Sequence, residues 1–289
     1  MRVAQLLVLA LGTGAFLLIA TLGFALIRRV EGFLNIAHAE LMSLAAFATW
    51  YFNASLGWHF FLAAAVAIAI TAVVALVIAR LIYDPIKHLG PPILLISSVG
   101  VAFLIHGIVS AVIGVGIRSF EIPRLDAWTV GGLLVTPYRI VLLLLAVVAS
   151  VALALFLTQT RTGKSIRAMA INRELAGSRG INVTKASRAT WLASGVLAGL
   201  GGVALGVLGT LTTDIAFQQI LVILAVAIVA GLGSLYGVIA AAFIVAFAMD
   251  LSLLVLPGGY RPVVAFAIVI VVLLIRPQGV AGSREEVTA

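Results

Sequence analysis

The sequence predicts an all-α, polytopic transmembrane helical bundle of about eight or nine spans, and two observations carry this prediction. Of its 289 residues, 63% are hydrophobic and only 10% are charged, with a mean hydropathy of +1.26. Soluble domains have about 25% charged residues, so this chain could not cover a water-facing surface. Apolar runs of about 20 residues, the length that crosses a bilayer, recur throughout. We therefore treat 1–289 as a single transmembrane domain.

Each apolar run is assigned a helix, and two of the runs are short. We predict spans at about 3–27, 33–52, 59–83, 92–116, 138–158, 189–211, 217–231, 235–251 and 261–276. The run that follows Met1-Arg2 lacks a cleavage site, so it is predicted as a retained helix. Glycine-interrupted short helices are typical of transporters, and we predict a helix break at Gly231, Gly233 and Gly237. If the two short pieces form a re-entrant pair, the count is eight.

Orientation follows from the segment Arg161–Arg188, which has seven Lys/Arg residues and one acid, Glu174. Lys and Arg are retained on the cytoplasmic side of a membrane, so this segment is placed inside. Alternation then gives thirteen basic residues inside and five outside, with the N-terminus outside and the C-terminus inside. The other basic residues are Arg28, Arg29, Arg80, Lys87, Arg276 and Arg284 inside, and Arg2, Arg118, Arg124, Arg139 and Arg261 outside. The basic residues lie in short loops, so nucleic acid is excluded as a partner. The outer loop 117–137 is short and nearly neutral.

Polar and ionisable side chains inside a membrane are costly, so each is treated as a candidate functional residue. The densest group of such side chains lies at the start of the second span. Its members are Glu31, Asn35, His38, Glu40 and Ser43. We assign Asn35, His38, Glu40 and Ser43 to the translocation pathway. Helical spacing puts Asn35 and His38 on one face, with Glu40 about 200° further round, where it can pair with a neighbouring helix. The alternative is a buried polar cluster that fixes helix packing.

Other candidate residues receive structural interpretations. His106 is predicted to be a satisfied core histidine, and Asp214 and Asp250 to be solvated near outer helix ends. The four histidines lack ligand spacing, so we predict no metal site. Small residues at helical spacing let helices approach closely. For the sixth span this predicts packing within the bundle, with a dimer interface as the alternative; the residues are Gly195, Gly199, Gly202 and Gly206.

The sequence contains one segment that resembles a nucleotide-binding motif, but the match is incomplete. Gly163-Lys164-Ser165 is similar to the end of a P-loop, but Thr158 stands where that motif needs a glycine, and an apolar helix precedes it instead of a strand. No nucleophile–base arrangement is present, and the chain has no cysteine. We predict that this chain is not an enzyme and binds no cofactor.

Four segments occur in a recognisable order along the chain: Leu34–Met42; Arg161–Ala168 with Gly180-Ile181-Asn182; Gly231–Ser234 with Gly237; and Arg276-Pro277-Gln278-Gly279. In these segments the chain resembles the membrane permeases of bacterial and archaeal ABC importers for branched-chain, hydrophobic amino acids, with Ala39 in place of the family's usual glycine. The resemblance covers nearly the whole chain.

The resemblance implies a multi-pass protein of a cell inner membrane and a set of partners. These are a second permease chain, identical or paralogous, two cytoplasmic ATPase subunits that use the ATP, an external substrate-binding protein and membrane lipid. Within 161–188, Glu174, Ala176 and Gly180 match the family's ATPase-docking pattern Glu-x-Ala-x3-Gly, and Arg167 belongs to the same segment. Gly180 is expected to end a short helix there in a left-handed conformation. The alternative is a solvated loop held by anionic lipid.

Two alternatives to this function stay open. Related permeases carry urea, short amides or sugars. A protein of another class, a proton-coupled secondary transporter, would use Glu40 and His38 as its relay.

Overall fold

A computed structural model describes residues 2–114, 116–123 and 126–281. Arg124 and Arg284, which entered the orientation argument, lie outside these residues. The helices are α1 (Arg2–Glu31), α2 (Ala37–Trp50), α3 (Phe60–Ile78), α4 (Asp84–Ile86), α5 (Pro91–Ile113), α6 (Pro137–Gln159), α7 (Arg161–Ile171), α8 (Arg173–Ser178), α9 (Val183–Leu208), α10 (Ile215–Ala230), α11 (Leu235–Leu251) and α12 (Arg261–Ile275).

The predicted fold class is confirmed in the described part of the chain. Seven helical stretches are long and apolar enough to cross a membrane, and α10 is a shorter apolar helix. A π-helical turn, Tyr51–Ser55, extends α2. These nine stretches overlap the nine predicted segments, although several of their ends differ.

Helices α1 and α9 form the centre of the bundle. Helix α1 contacts α6, α9 and α11, whereas α9 also contacts α2 and α3. Helix α12 buries Ala265 and Val269 and leaves most of its other apolar side chains exposed. Such an apolar outer surface fits hydrocarbon and not water.

The glycines of α9 serve packing within the bundle, as predicted. A Cβ atom on Gly195 would come within 2.6 Å of the Cα atom of Ala72, and one on Gly199 within 2.9 Å of the Cα atom of Ile68. Both contacts are with α3, so the absent side chains let the two helices approach closely. The intramolecular alternative is therefore the one that the fold uses.

The outer loop carries structure that the sequence did not predict. Strands β1 (Trp128–Val130) and β2 (Leu133–Val135) form an antiparallel hairpin whose turn residues, Gly131 and Gly132, have φ of 58° and 80°. Positive φ at both turn positions is the requirement of a tight two-residue hairpin. Nearby, the backbones of Arg118 and Leu211 exchange two hydrogen bonds, and Phe120 is buried. The loop thus folds back on its own end of the bundle.

The glycine break lies at the opposite end of the bundle, which the charge bias predicts to be cytoplasmic. Gly231 and Gly233 have φ of 91° and 95°, and a guanidinium nitrogen of Arg29 donates to the Gly233 carbonyl at 3.3 Å. Gly237 lies one turn into α11, where a Cβ atom would come within 2.8 Å of the Cβ atom of Ala281. The break is therefore a tight turn between two antiparallel helices, and Gly237 serves packing.

The C-terminal signature caps this turn. The backbone N–H of Gly279 donates to the Arg276 carbonyl at 2.9 Å. The next residues then donate to the end of α10, Val280 to Val229 at 2.8 Å and Ala281 to Ala230 at 3.2 Å. Carbonyls at a helix end lack intrahelical partners, so this return of the chain satisfies them.

Candidate functional site

The segment 161–188, predicted as a loop with one short helix, is mostly helical. Helix α7 begins after Thr160, whose side chain accepts a hydrogen bond from the Gly163 backbone N–H at 2.9 Å. A Cβ atom on Gly163 would come within 2.6 Å of the Cα atom of Leu157. The glycine that resembles a P-loop residue thus allows α7 to cross closely over the end of α6.

Helix α8 is built as the sequence predicted around Glu174. The Asn172 side chain caps it by accepting from the Leu175 N–H at 2.9 Å. At its end the Ile181 N–H donates to the Ala176 carbonyl at 3.1 Å, and Gly180 has φ of 81°. This is a Schellman ending, which requires a left-handed residue at that position. The expected conformation of Gly180 is confirmed.

Around α8 lies an exposed surface, which we call the coupling surface after its predicted role; it is made of Arg167, Ile171, Glu174, Leu175 and Gly180. All five residues are exposed, and Ile171 and Leu175 are 85% and 55% exposed. Ala176 points inward and is buried. Exposed apolar side chains rimmed by charges mark protein contact sites. Ile171 and Leu175 were missed in the sequence because they lie in no apolar run.

The coupling surface is tied to the bundle through Glu31. This residue is the last of α1, not part of the second span, because α1 continues four residues past its predicted end. The buried Glu31 carboxylate is 3.1 Å from a guanidinium nitrogen of Arg173, the first residue of α8. It also pairs with Lys87 and accepts from the hydroxyl of Ser187. One carboxylate therefore joins α1, α8 and α9.

Asn35 and His38 face the interior of the bundle. The Tyr83 hydroxyl donates to Oδ1 of Asn35 at 3.2 Å, and Nε2 of His38 is 3.0 Å from the Ala20 carbonyl of α1. Both side chains are buried. The unwound segment before α2 is held by Ser98 of α5, which accepts from the Ile36 N–H at 3.0 Å. These contacts fix the start of α2 deep in the bundle.

Glu40 points away from His38 toward α5, as its helical spacing predicted. Oε1 of Glu40 is 3.6 Å from Nδ1 of His106, and Nε2 of His106 is 3.9 Å from Oδ1 of Asp214. His106 is therefore not the satisfied core histidine that was predicted, because its Nδ1 is buried and has no hydrogen-bond partner. Asp214 is exposed, as predicted. Ser43 is buried and its hydroxyl is unpartnered.

A cavity of about 660 Å³ opens at the end of the bundle that is predicted to face outward. It is lined by Arg139, Arg261, Gln218, Gln219 and apolar residues of α1, α9 and α10. Asp250 pairs with Arg261 beside it and is only 2% exposed. The prediction that Asp250 is solvated is wrong, because the arginine that neutralises it arrives from the next helix.

Comparison with known proteins gives the family. The model for the permease component of the branched-chain amino acid transport system matches residues 6–273. The chain belongs to this family.

Three relatives show how much of the permease the similarity covers. It is 28% identical to the high-affinity branched-chain amino acid transport system permease protein LivH of Escherichia coli K12, over 94% of this chain and 93% of LivH. It is 26% identical to the corresponding BraD of Pseudomonas aeruginosa, over 97% and 96% of the two chains. A probable branched-chain amino acid permease, LivH of Methanocaldococcus jannaschii, is 28% identical over 68% and 66%. The chain is thus a membrane transport subunit and not an enzyme.

The permease brings together some of the predicted site residues and separates others. Glu174, Ala176 and Gly180 share α8 and its cap, and Arg167 lies on the adjoining α7. Asn35 and His38 lie on the packed side of α2, whereas Glu40 faces α5. His106 and Asp214 were missed as partners of Glu40, since no local spacing links residues so far apart in the chain.

Proposed function

We propose that this permease is the membrane subunit of an ATP-driven importer of branched-chain, hydrophobic amino acids. In this proposal it works with a second permease chain, identical or paralogous, two cytoplasmic ATPase subunits and an external substrate-binding protein. Family membership supports the transport role. The coupling surface is the single observation that supports docking of ATPase subunits, and hence ATP-driven transport. The chain itself binds no cofactor in this scheme.

The coupling surface has the chemistry of a docking site. Ile171 and Leu175 supply apolar area, while Arg167 and Glu174 supply charges of both signs. Interfaces that hold partners combine an apolar centre with a polar rim. A solvated loop held to lipid by basic residues would need neither the exposed leucine and isoleucine nor the acid.

Movement of α8 would reach the membrane helices through Arg173 and Glu31. The ion pair joins the first residue of α8 to the last residue of α1, and Ser187 of α9 binds the same carboxylate. Helices α1 and α9 are the centre of the bundle. A partner that pulls on α8 therefore acts directly on the two helices that most others contact.

We propose that the translocation pathway passes the buried start of α2. The residues proposed to line it there are Asn35, His38, Glu40 and Ser43. We propose Gly231 and Gly233 as the helix break at the cytoplasmic end of the pathway, whereas Gly237, which was predicted with them, lies inside α11 and serves packing. We further propose an inner-membrane location with the N-terminus outside and the C-terminus inside, so that the coupling surface meets cytoplasmic ATPases.

The deciding experiment is co-purification of the permease with its ATPase subunits. Glu174→Arg reverses a charge at the centre of the coupling surface, and Gly180→Asp puts a side chain where φ is 81°. We expect each to abolish ATPase association while the permease still inserts.

Matched controls come from the outer side of the bundle. Glu121→Arg makes the same charge change on an exposed loop, and Gly57→Asp places aspartate at another exposed glycine with φ of 68°. Both controls should bind ATPase normally. Normal association in both coupling variants would contradict the coupling assignment.

A second candidate, a proton-coupled secondary transporter, draws on one observation, the titratable Glu40 and His106 at membrane depth. His38, the predicted relay partner of Glu40, faces the other side of α2. This candidate requires uptake that persists without ATPase subunits and collapses with the proton gradient.

The alternative substrates are tested by competition. Urea, short amides or sugars that share the pathway would reduce the uptake of labelled leucine.

A further inference from the structure

Glu40 is a buried carboxylate without a hydrogen-bond partner. Its side chain is 2% exposed, and neither Oε1 nor Oε2 has a partner. It lies near the middle of the membrane, because His38, two residues earlier, contacts the Ala20 carbonyl in the middle part of the 30-residue helix α1. A buried unsatisfied carboxylate is costly, so its retention at this depth requires an explanation.

Further polar groups lie beside this carboxylate or on the same helix faces, and several of them lack a hydrogen-bond partner. The His106 ring lies between Glu40 and Asp214 at 3.6 and 3.9 Å, beyond the usual 2.7–3.2 Å of an N–H···O hydrogen bond. Ser43 follows Glu40 by three residues and Ser110 follows His106 by four, so each serine shares a helix face with its neighbour. The hydroxyls of both serines are buried and unpartnered.

The charges of this cluster do not balance. Glu40 lies in the first turn of α2 and Asp214 is the N-cap of α10. Each helix N-terminus contributes roughly half a positive charge, so two carboxylates leave about one negative charge, counted with a neutral imidazole. In the described part of the chain, neither carboxylate has a lysine or arginine within ion-pair distance. The cluster is therefore complementary to one monovalent cation.

We propose that Glu40, His106 and Asp214, with the hydroxyls of Ser43 and Ser110, bind the α-ammonium group of the amino acid on its way through the membrane. This inference rests on the proposed function and names a substrate contact within it. An ammonium group carries three N–H donors, and its hydrogen bonds to carboxylates are charge-assisted. The unpartnered oxygens of Glu40 and the two serines supply the acceptors.

The surroundings of the cluster suit the rest of such a molecule. Asp214 is 76% exposed at the side chain, which opens the cluster on one side. Phe217 lies next to His106, with ring centroids 5.0 Å apart, and Phe103 lies 5.5 Å from Phe217. These rings offer apolar contact to a branched aliphatic side chain and a favourable face for a cation.

The direct test is modification of Glu40 by a hydrophobic carbodiimide in the assembled wild-type complex. Mass spectrometry of the peptide counts the N-acylurea and any amide formed with a competing amine together, so that only unmodified Glu40 is scored as protected. The competing probes are leucine, 3-methylbutan-1-amine, which has only the ammonium group, and 4-methylpentanoate, which has only the carboxylate. At ten times its Kd, a ligand leaves about one site in ten free, so leucine and the amine should each reduce labelling about tenfold. The carboxylate should have no effect.

Two results of this labelling would overturn the proposal. Equal labelling with and without the amine would assign the cluster to a resident proton or to helix packing. Protection by 4-methylpentanoate as strong as by the amine would mean that the site does not select the ammonium group.

Uptake measurements provide a second, independent test of the proposed ammonium site. We expect Glu40→Gln and Asp214→Asn to raise the leucine concentration for half-maximal uptake about tenfold, which corresponds to about 1.4 kcal/mol, with ATPase association intact. Glu121→Gln, the same change on the outer loop, is the control. Unchanged uptake in both site variants beside active wild type would overturn this site alone. Absence of ATP-dependent uptake by the wild type would instead contradict the proposed function.

Discussion

At the C-terminal end of α1 the side chain of Glu31 contacts three other stretches of chain. Lys87 and Arg173 bring two positive charges to it, and Ser187 donates a hydroxyl hydrogen bond. The carboxylate is buried, whereas the two cations are partly exposed. Its acid character is plain in the sequence, but its partners are not, since they lie 56 to 156 residues further along the chain.

We predict that Glu31→Gln destabilises the permease by about 2 kcal/mol, below the 3–5 kcal/mol of a fully buried broken pair because Lys87 and Arg173 keep some solvent. Thermal unfolding of the purified permease measures this loss. Asp84→Asn is the control, because Asp84 is 3.7 Å from the same Lys87 but is exposed. Equal destabilisation by both variants would show that Glu31 has no special role.

The Glu31→Gln variant also tests whether movement of α8 is passed on to α1. If α8 acts on α1 through Arg173 and Glu31, Glu31→Gln should also lower the stimulation of ATP hydrolysis by the loaded binding protein. ATPase association should remain, since the coupling surface itself is unchanged. Full stimulation in the Glu31 variant would limit the carboxylate to a structural role.

At the scale of elements, the glycine pattern of α9 predicts close helix packing but not which helix packs against it. The spacing of its glycines predicted close packing, but only the fold assigns Gly195 and Gly199 to α3. The start of this helix was predicted six residues too late, since the prediction followed hydropathy. Its first turns are basic and begin at Asn182, whose side chain caps the helix by accepting from the Lys185 N–H at 2.8 Å.

We predict that Gly195→Ala costs about 1–3 kcal/mol, the usual penalty of overpacking. The added methyl group would come within 2.6 Å of the Ala72 backbone, so α3 and α9 must separate. Gly100→Ala on α5 is the matched control, because a Cβ atom there meets nothing within 4 Å. That control should be neutral or stabilising by up to about 1 kcal/mol, since alanine favours helix. Denaturation of both variants in the same detergent decides the comparison.

At the scale of the whole molecule, the coupling surface and the outer loop occupy opposite ends of the bundle. Helix α8 lies beside Glu31 at the end of α1, whereas the turn after α2 contacts the outer loop, where the Asn53 side chain accepts from the Glu121 N–H at 2.8 Å. The charge bias predicts that the α8 end is cytoplasmic.

We predict opposite accessibility for two single cysteines, Ser178→Cys on α8 and Ser55→Cys at the end of the second helical stretch. The chain has no cysteine of its own, so each variant has a single reactive thiol. In intact cells a membrane-impermeant maleimide should label the cysteine at 55 and spare the one at 178, and cell lysis should expose both. The reverse pattern would invert the proposed orientation.

The sequence by itself determined the fold class, the approximate positions of the nine helical stretches, the turn at Gly231 and Gly233 and the end of α8 at Gly180. These features depend on local physics: hydrocarbon requires runs of apolar residues with internal hydrogen bonds, and a helix end at Gly180 needs only its own backbone. The opposite directions of His38 and Glu40 also followed from helical geometry alone.

Only the tertiary structure decided which groups meet across the bundle. It placed Glu40 beside His106 and Asp214, Glu31 beside Arg173, and Asp250 beside Arg261. The physical reason is that a membrane helix is apolar on nearly every face, so its sequence does not mark the side that faces its neighbours. Contacts between distant residues are set by packing of all the helices together, and the candidate ammonium site exists only once that packing is complete.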